Sequence, residues 1–159
     1  MLTIRVLAVG RVRTPGVADA IAEYENRLRH YFRFEAIPVD AAQVPDTRAG
    51  EGMAEEGDRL AKRLADDDTL VALTRTGRRW ATRDLAERIA DAQNYGGGGA
   101  LAFVIGGAHG LADAILERAT HRLSLSDMTL PHEIARLVLT EQLYRAGTIL
   151  RSEPYHKGP

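Results

Sequence analysis

The run ALAFVI at residues 100–105, followed at once by Gly-Gly-Ala-His-Gly at 106–110, decides how this chain is read. Six apolar residues without a polar interruption make the most apolar strand of the sequence. A strand that does not alternate has both faces covered, as strands of parallel sheets do when helices pack on either side. Working outward, the same grammar repeats. Leu2–Val9 (LTIRVLAV) reads as a first strand and Phe32–Val39 as a second, with Phe32, Phe34 and Ala36 inward. Thr69–Leu73 and His121–Ser126 supply two more short strands.

Helical spacing fills the intervals. Val17–Tyr31 places Ile21, Tyr24, Leu28 and Tyr31 on one face. Residues 40–50, with Pro45 and Gly50, read as a loop, and Glu51–Ala65 as a helix carrying Met53, Leu60 and Leu64. Thr82–Gln93 is a helix capped by Thr82, and Gly96–Gly99 a break. Leu111–Ala119 and Pro131–Gly147 are the remaining helices, with Pro131 at a favoured first-turn position. Five strands alternating with five helices predict an α/β fold with a mostly parallel sheet, in one domain spanning residues 1–159. The last helix is apolar around most of its girth (Ile134, Leu137, Val138, Leu139, Leu143, Tyr144, Ala146), so it must bury more than one stripe. A second subunit against it is the favoured expectation.

Composition narrows the function classes. The chain has 159 residues, 21 Lys+Arg, 22 Asp+Glu and no Cys. Disulfides, thiolate nucleophiles and cysteine-ligated metals are thereby excluded. No apolar run approaches a membrane span and no leader precedes the first strand, so the expectation is a cytoplasmic protein without a membrane partner. The five histidines are scattered, which gives a metal site no support. Charge is uneven: residues 40–70 carry nine acids and four bases, whereas residues 1–39 and 71–99 each carry a surplus of two arginines.

In open α/β sheets ligands bind beyond the carboxyl ends of strands. Three loops qualify: Thr74–Gly77, Gly106–Gly110, and Ser126–Leu130 ahead of Pro131. Familiar motifs do not fit them. There is no P-loop, Gly10 is not followed by a dinucleotide fingerprint, and His132-Glu133 fails as a zincin because residue 136 is Arg. A second cluster lies at the C-terminus: His132, Arg145, Arg151, Tyr155, His156 and Lys157. An aromatic plate beside cations suits an extruded nucleobase and its phosphates.

Taken together, LAVGRV at 7–12, LTRTG at 73–77, FVIGGAHGL at 103–111, LSLSDMTLPHEIARLVLTEQLYRA at 123–146 and PYHKG at 154–158 resemble the RlmH family, SPOUT-class methyltransferases of the bacterial large ribosomal subunit. The resemblance runs from the first strand to the tail. It implies a C-terminal deep trefoil knot, which general topology rules would not suggest, and a homodimer with the last helix in the interface. It implies S-adenosylmethionine as cofactor, held by Leu73, Gly106, Gly107, Leu125, Ser126, Asp127, Met128, Thr129 and Leu130. The implied substrate is a pseudouridine of 23S rRNA within the 70S ribosome, methylated at N3.

His132 is then the candidate base or orienting group. Arg145 is the candidate stabiliser of the anionic base or phosphate clamp, and Tyr155 and His156 complete the catalytic pocket. Thirteen residues separate positions 132 and 145, roughly 20 Å along a helix, so one protomer does not bring both to the same atom. Ala108 and His109 stand where family members often have a proline and an acid, and Lys157 where some have Arg. The competing readings are another SPOUT RNA methyltransferase with a different target base, a non-catalytic ribosome-binding module, and an ordinary small-molecule α/β enzyme. Near-neutral charge speaks against a protein that coats RNA and leaves room for one that reads the shape of an assembled particle.

Overall fold

The computed structural model describes residues 1–159. Five strands, β1 (Thr3–Val9), β2 (Arg33–Val39), β3 (Thr69–Arg79), β4 (Leu101–Ile105) and β5 (His121–Ser124), form one sheet of order β2-β1-β4-β3-β5. All four pairings are parallel. Helices α1 (Val17–Leu28), α2 (Ala49–Ala61), α3 (Thr82–Tyr95), α4 (Asp113–Arg118) and α5 (His132–Leu150) complete the fold. The α/β reading and the parallel sheet hold. No helix is long and apolar enough to cross a membrane.

Strand geometry sorts the core. Successive side chains point to opposite faces of a sheet. On β4, Leu101, Phe103 and Ile105 join one cluster while Ala102 and Val104 join the other. The first cluster packs against α1, α3 and α5 through Leu28, Ile89, Leu139 and Leu143. The second packs against α2 and α4 through Leu60 and Ile115. All five residues of β4 are buried, which is why its sequence shows no alternation.

Three local readings need correction. β3 does not end at Leu73. Leu123 on β5 faces Leu73 and then Arg78, so Thr74–Gly77 swing out of register and the strand re-engages through Arg79. Gly77 makes this possible: a Cβ there would lie 2.7 Å from the Arg122 and Leu123 backbone. Thr82 is not the cap of α3. Ala81 holds that position, its N–H donates to the Asp84 carboxylate at 2.7 Å, and the Thr82 hydroxyl instead donates to Gln142 on α5 at 2.7 Å. β5 stops at Ser124 rather than Ser126, because Ser124 Oγ donates to the Ser126 carbonyl at 3.0 Å and starts a turn.

Helix α5 lies across α1 and α3. Leu139, Leu143 and Ala146 are fully buried, and Gly147 abuts the Tyr31 ring so closely that a Cβ would sit 2.7 Å from it. Arg136 pairs with Glu25 of α1 at 3.1 Å, both side chains largely covered. Ile134, Leu137 and Val138 remain half-buried, so the apolar girth of this helix is not used up within one chain.

Candidate cofactor and active site

The carboxyl ends of β4, β3 and β5 open into a cavity of about 840 Å³. Its walls are the β3 excursion (Leu73–Thr76), the turn after β4 (Ile105–Leu111) and the segment from Leu123 through the start of α5. The three loops singled out by sequence therefore meet. Its size falls within the range of small-molecule and cofactor sites.

The turn after β4 is a backbone cradle. Gly110 N–H donates to Gly107 O at 3.1 Å and closes a tight reversal. Gly106 is obligatory there, since a Cβ would come within 2.7 Å of the Gly110 backbone. Beneath Gly107 lies the buried carboxylate of Glu56, which accepts the Ala42 N–H at 2.9 Å and would meet a Cβ on Gly107 at 3.1 Å. His109 turns toward Asp46, with Nε2 and Oδ1 3.1 Å apart.

On the opposite wall, Ser126 Oγ accepts the Met128 N–H at 3.0 Å and shapes the turn into α5. Thr129 Oγ1 accepts from Arg75 Nη1 at 3.3 Å, which links the β3 excursion to this segment. Met128 is 78% exposed and forms a lip. His132, the first residue of α5, lines the cavity, and its Nε2 is buried with no hydrogen-bond partner. A buried ring nitrogen without a partner costs free energy, so a ligand atom is the natural candidate to satisfy it. The adjacent Glu133 is occupied elsewhere. The Arg13 backbone N–H and the Thr14 hydroxyl (2.6 Å) hold its carboxyl below the usual carboxylate range.

Of the residues assigned to cofactor binding, Leu73, Gly106, Gly107, Leu125, Ser126, Met128, Thr129 and Leu130 line this cavity. Asp127 does not: its side chain points outward to Arg79 at 2.6 Å. Thr74, Arg75, Thr76, Leu116 and Ala135 line it as well and were not assigned. Leu116 comes from α4, across the sheet, and no local pattern marks it.

Arg145, Tyr155 and His156 lie elsewhere. Arg145 binds Glu141 at 2.6 Å, one turn earlier on α5. The Tyr155 hydroxyl donates to the same Glu141 oxygen at 3.1 Å, and the Arg145 guanidinium stacks 4.8 Å over the Tyr155 ring. Tyr155 and Tyr144 meet edge-on at 4.7 Å. Burial, then hydrogen bonds to Tyr24 and Glu141, push the Tyr155 phenol well above its ordinary value. His156 Nε2 contacts the Pro159 carbonyl at 3.3 Å, while its Nδ1 is buried without a partner. Within one chain, then, His132 lines the cavity, Arg145 and Tyr155 join Glu141 in a separate cluster, and His156 follows Tyr155 in the tail with only the Pro159 carbonyl as partner. Glu141 is the residue missed. Its spacing of four before Arg145 was the available signal. Neither cluster gathers the side chains a metal needs.

A family model described as "Predicted SPOUT methyltransferase" matches residues 2–156. The Ribosomal RNA large subunit methyltransferase H of Gemmatimonas aurantiaca is 45% identical, over 98% of this chain and 100% of its own length. Two solved structures share the fold at low identity. The tRNA (m1G37) methyltransferase of Aquifex aeolicus covers 99% of this chain and 75% of its own, at 17% identity and a TM-score of 0.57. A Ribosomal RNA small subunit methyltransferase E of Neisseria gonorrhoeae, bound to S-adenosyl methionine, covers 94% of this chain and 66% of its own, at 12% identity and a TM-score of 0.50. A full-length match at that identity, with the family model spanning residues 2–156, settles the relationship: the chain belongs to the SPOUT methyltransferases, in the family of ribosomal RNA large subunit methyltransferases H.

Proposed function

We propose that this methyltransferase moves a methyl group from S-adenosylmethionine to N3 of a pseudouridine in 23S rRNA, on the assembled ribosome in the cytoplasm, working as a homodimer with a knotted C-terminal segment. The observation that carries the reading is the cavity of about 840 Å³ at the carboxyl edge of the sheet, with His132 in its wall and the Nε2 of that ring buried without a partner. The name of the 45% identical relative supports the large-subunit rRNA as substrate. The cavity suits the cofactor: it is large enough, half apolar, and edged by the Gly106–Gly110 turn and the Leu125–Leu130 segment.

When bound, S-adenosylmethionine supplies an electrophilic methyl on a sulfonium. The imino nitrogen that receives it must lose its proton to become a competent nucleophile. His132 lines the cavity and is the imidazole placed to take or orient that proton, its Nε2 being buried beside Gly10. Arg145 carries a cation that can stabilise the resulting anion or hold a flanking phosphate. The two stand 13 residues apart on α5, roughly 20 Å by helical rise, so the Arg145–Tyr155–His156 cluster serves the cavity of the partner subunit. The half-buried Ile134, Leu137 and Val138 supply the apolar stripe for that dimer.

Mass spectrometry of rRNA with and without the gene tests the reading. Loss of one N3-methylpseudouridine on deletion, restored by the gene, is the expected result. An unchanged modification profile overturns it.

A further inference from the structure

The loop leaving β1, GRVRTPG at 10–16, plays no part in the reading above, yet it is built against the active-site histidine. Gly10 donates its N–H to Val39 O at 2.9 Å, and a Cβ on Gly10 would lie 3.4 Å from His132 Nε2. Val9, just before it, lies beneath Gly107, where a Cβ would meet its side chain at 3.2 Å. Glu133 then reaches back across the loop. One carboxylate oxygen accepts the Arg13 backbone N–H and the other accepts the Thr14 hydroxyl at 2.6 Å.

That arrangement uses a carboxylate to fix backbone rather than to neutralise a cation. Arg11 and Arg13 are exposed, with Val12 half-buried between them, and neither side chain forms an ion pair or hydrogen bond. Nearby carboxylates have partners of their own: Asp127 has Arg79, Asp46 has His109, and Glu56 has the Ala42 N–H. Arg75 adds a third cation on the cavity wall, beside Thr129. Arg11, Arg13 and Arg75 thus stand at this edge without a carboxylate partner, although the edge carries carboxylates of its own. Guanidinium groups are planar forks suited to bidentate phosphate contacts.

We propose that Glu133 straps the 10–14 loop against His132 so that Arg11 and Arg13 stand at the rim of the cavity as a clamp for RNA backbone phosphates flanking the target base. The inference rests on the rRNA reading above and adds the surface that seats the substrate. Phosphate contacts of this kind position a substrate without reading its sequence. Glu133 is a positioning residue, and the two arginines make the contact.

The test uses the full-length protein and 70S particles, comparing wild type with R11A/R13A and with E133A. The first variant removes two exposed side chains that form no ion pair or hydrogen bond, so the fold survives. E133A leaves both arginines in place and releases only their loop. S-adenosylmethionine affinity by calorimetry is expected to stay within about twofold in R11A/R13A. Its KM for ribosomes is expected to rise about 10- to 100-fold with kcat nearly kept. The slope of log KM against log salt should flatten by about two, one for each lost phosphate contact. E133A should reproduce part of the KM rise. An unchanged KM and salt slope in R11A/R13A, with active wild type, overturns the clamp alone, as does a KM rise matched by lost cofactor affinity. A KM unchanged in E133A removes the strap. Wild-type protein that methylates no ribosomal particle defeats the rRNA reading and takes the clamp with it.

Discussion

The two ends of α5 solve different problems with different materials. At its N-terminus the cavity joins a glycine turn to a mixed polar and apolar lining and one histidine whose Nε2 has no partner. At its C-terminal half, Arg145, Glu141, Tyr144 and Tyr155 are matched side chain to side chain. A site of rigid backbone is shaped before its ligand arrives, whereas a cluster of satisfied side chains must exchange partners when substrate comes. The first end suits a small molecule bound the same way every time. The second suits a large substrate that replaces one set of contacts with another.

The contrast is broken most severely at its two catalytic candidates. H132A is expected to lower the methyl-transfer rate by about 10²- to 10⁴-fold, the usual contribution of a positioned acid–base group, while S-adenosylmethionine affinity is kept. R145A should be similarly impaired. Mixing the two variants after unfolding and refolding tests whether the ends meet across a dimer. A composite site leaves one intact active site in each mixed dimer and returns about a quarter of wild-type activity. Sites built within single chains return none.

A smaller loss is expected at the cradle. G106A forces a Cβ to within 2.7 Å of the Gly110 backbone. Such overpacking costs about 1–3 kcal/mol, which corresponds to roughly 10- to 100-fold weaker cofactor binding by calorimetry. Wild-type affinity in G106A would show that the turn is not the cradle.

The tail cluster has a signature at high pH. Burial and the Glu153 carboxylate push the Tyr31 phenol up to about 12, and burial raises Tyr155 as well. A phenol whose value is raised on folding stabilises the fold fully below pH ~10, its ordinary range. That contribution is lost as pH rises through the folded value. Spectrophotometric titration should show Tyr31 and Tyr155 ionising late, with Y155F removing one late step. The smallest effect belongs to Asp127. D127N breaks an exposed pair with Arg79, should cost at most about 1 kcal/mol in thermal stability, and should leave cofactor affinity within about twofold.

What was legible in the sequence follows from what repeats. Strands buried on both faces leave unbroken apolar runs, so β4, the Val6–Val9 part of β1 and the start of β3 could be read directly. The separation of His132 from Arg145 followed from helical rise alone. The return of β3 at Arg78 and Arg79 could not be read. Those residues are charged, and they pair with an edge strand whose position depends on the whole sheet. Thr82 looked like a cap because hydroxyls usually serve there. A tertiary bond to Gln142 took it instead. Asp127 lay within a run of cavity residues, and only the fold turns its side chain away. The partner of Glu133 sits about 120 positions earlier in the chain, beyond the reach of any local pattern.

The β3 excursion has a consequence for how such a protein can diversify. Leu123 faces Leu73 on one side of the excursion and Arg78 on the other, so both ends of Thr74–Gly77 are pinned to a single rung of the ladder. Residues added between Leu73 and Gly77 can bulge outward without shifting the alignment of β5 on either side. Lengthening such a segment is cheap, since each doubling of a loop costs only about 0.6 kcal/mol of closure entropy. The roof of the cavity is thus an interchangeable part: its length and chemistry can be varied, by selection or by grafting, while the sheet beneath it keeps its register.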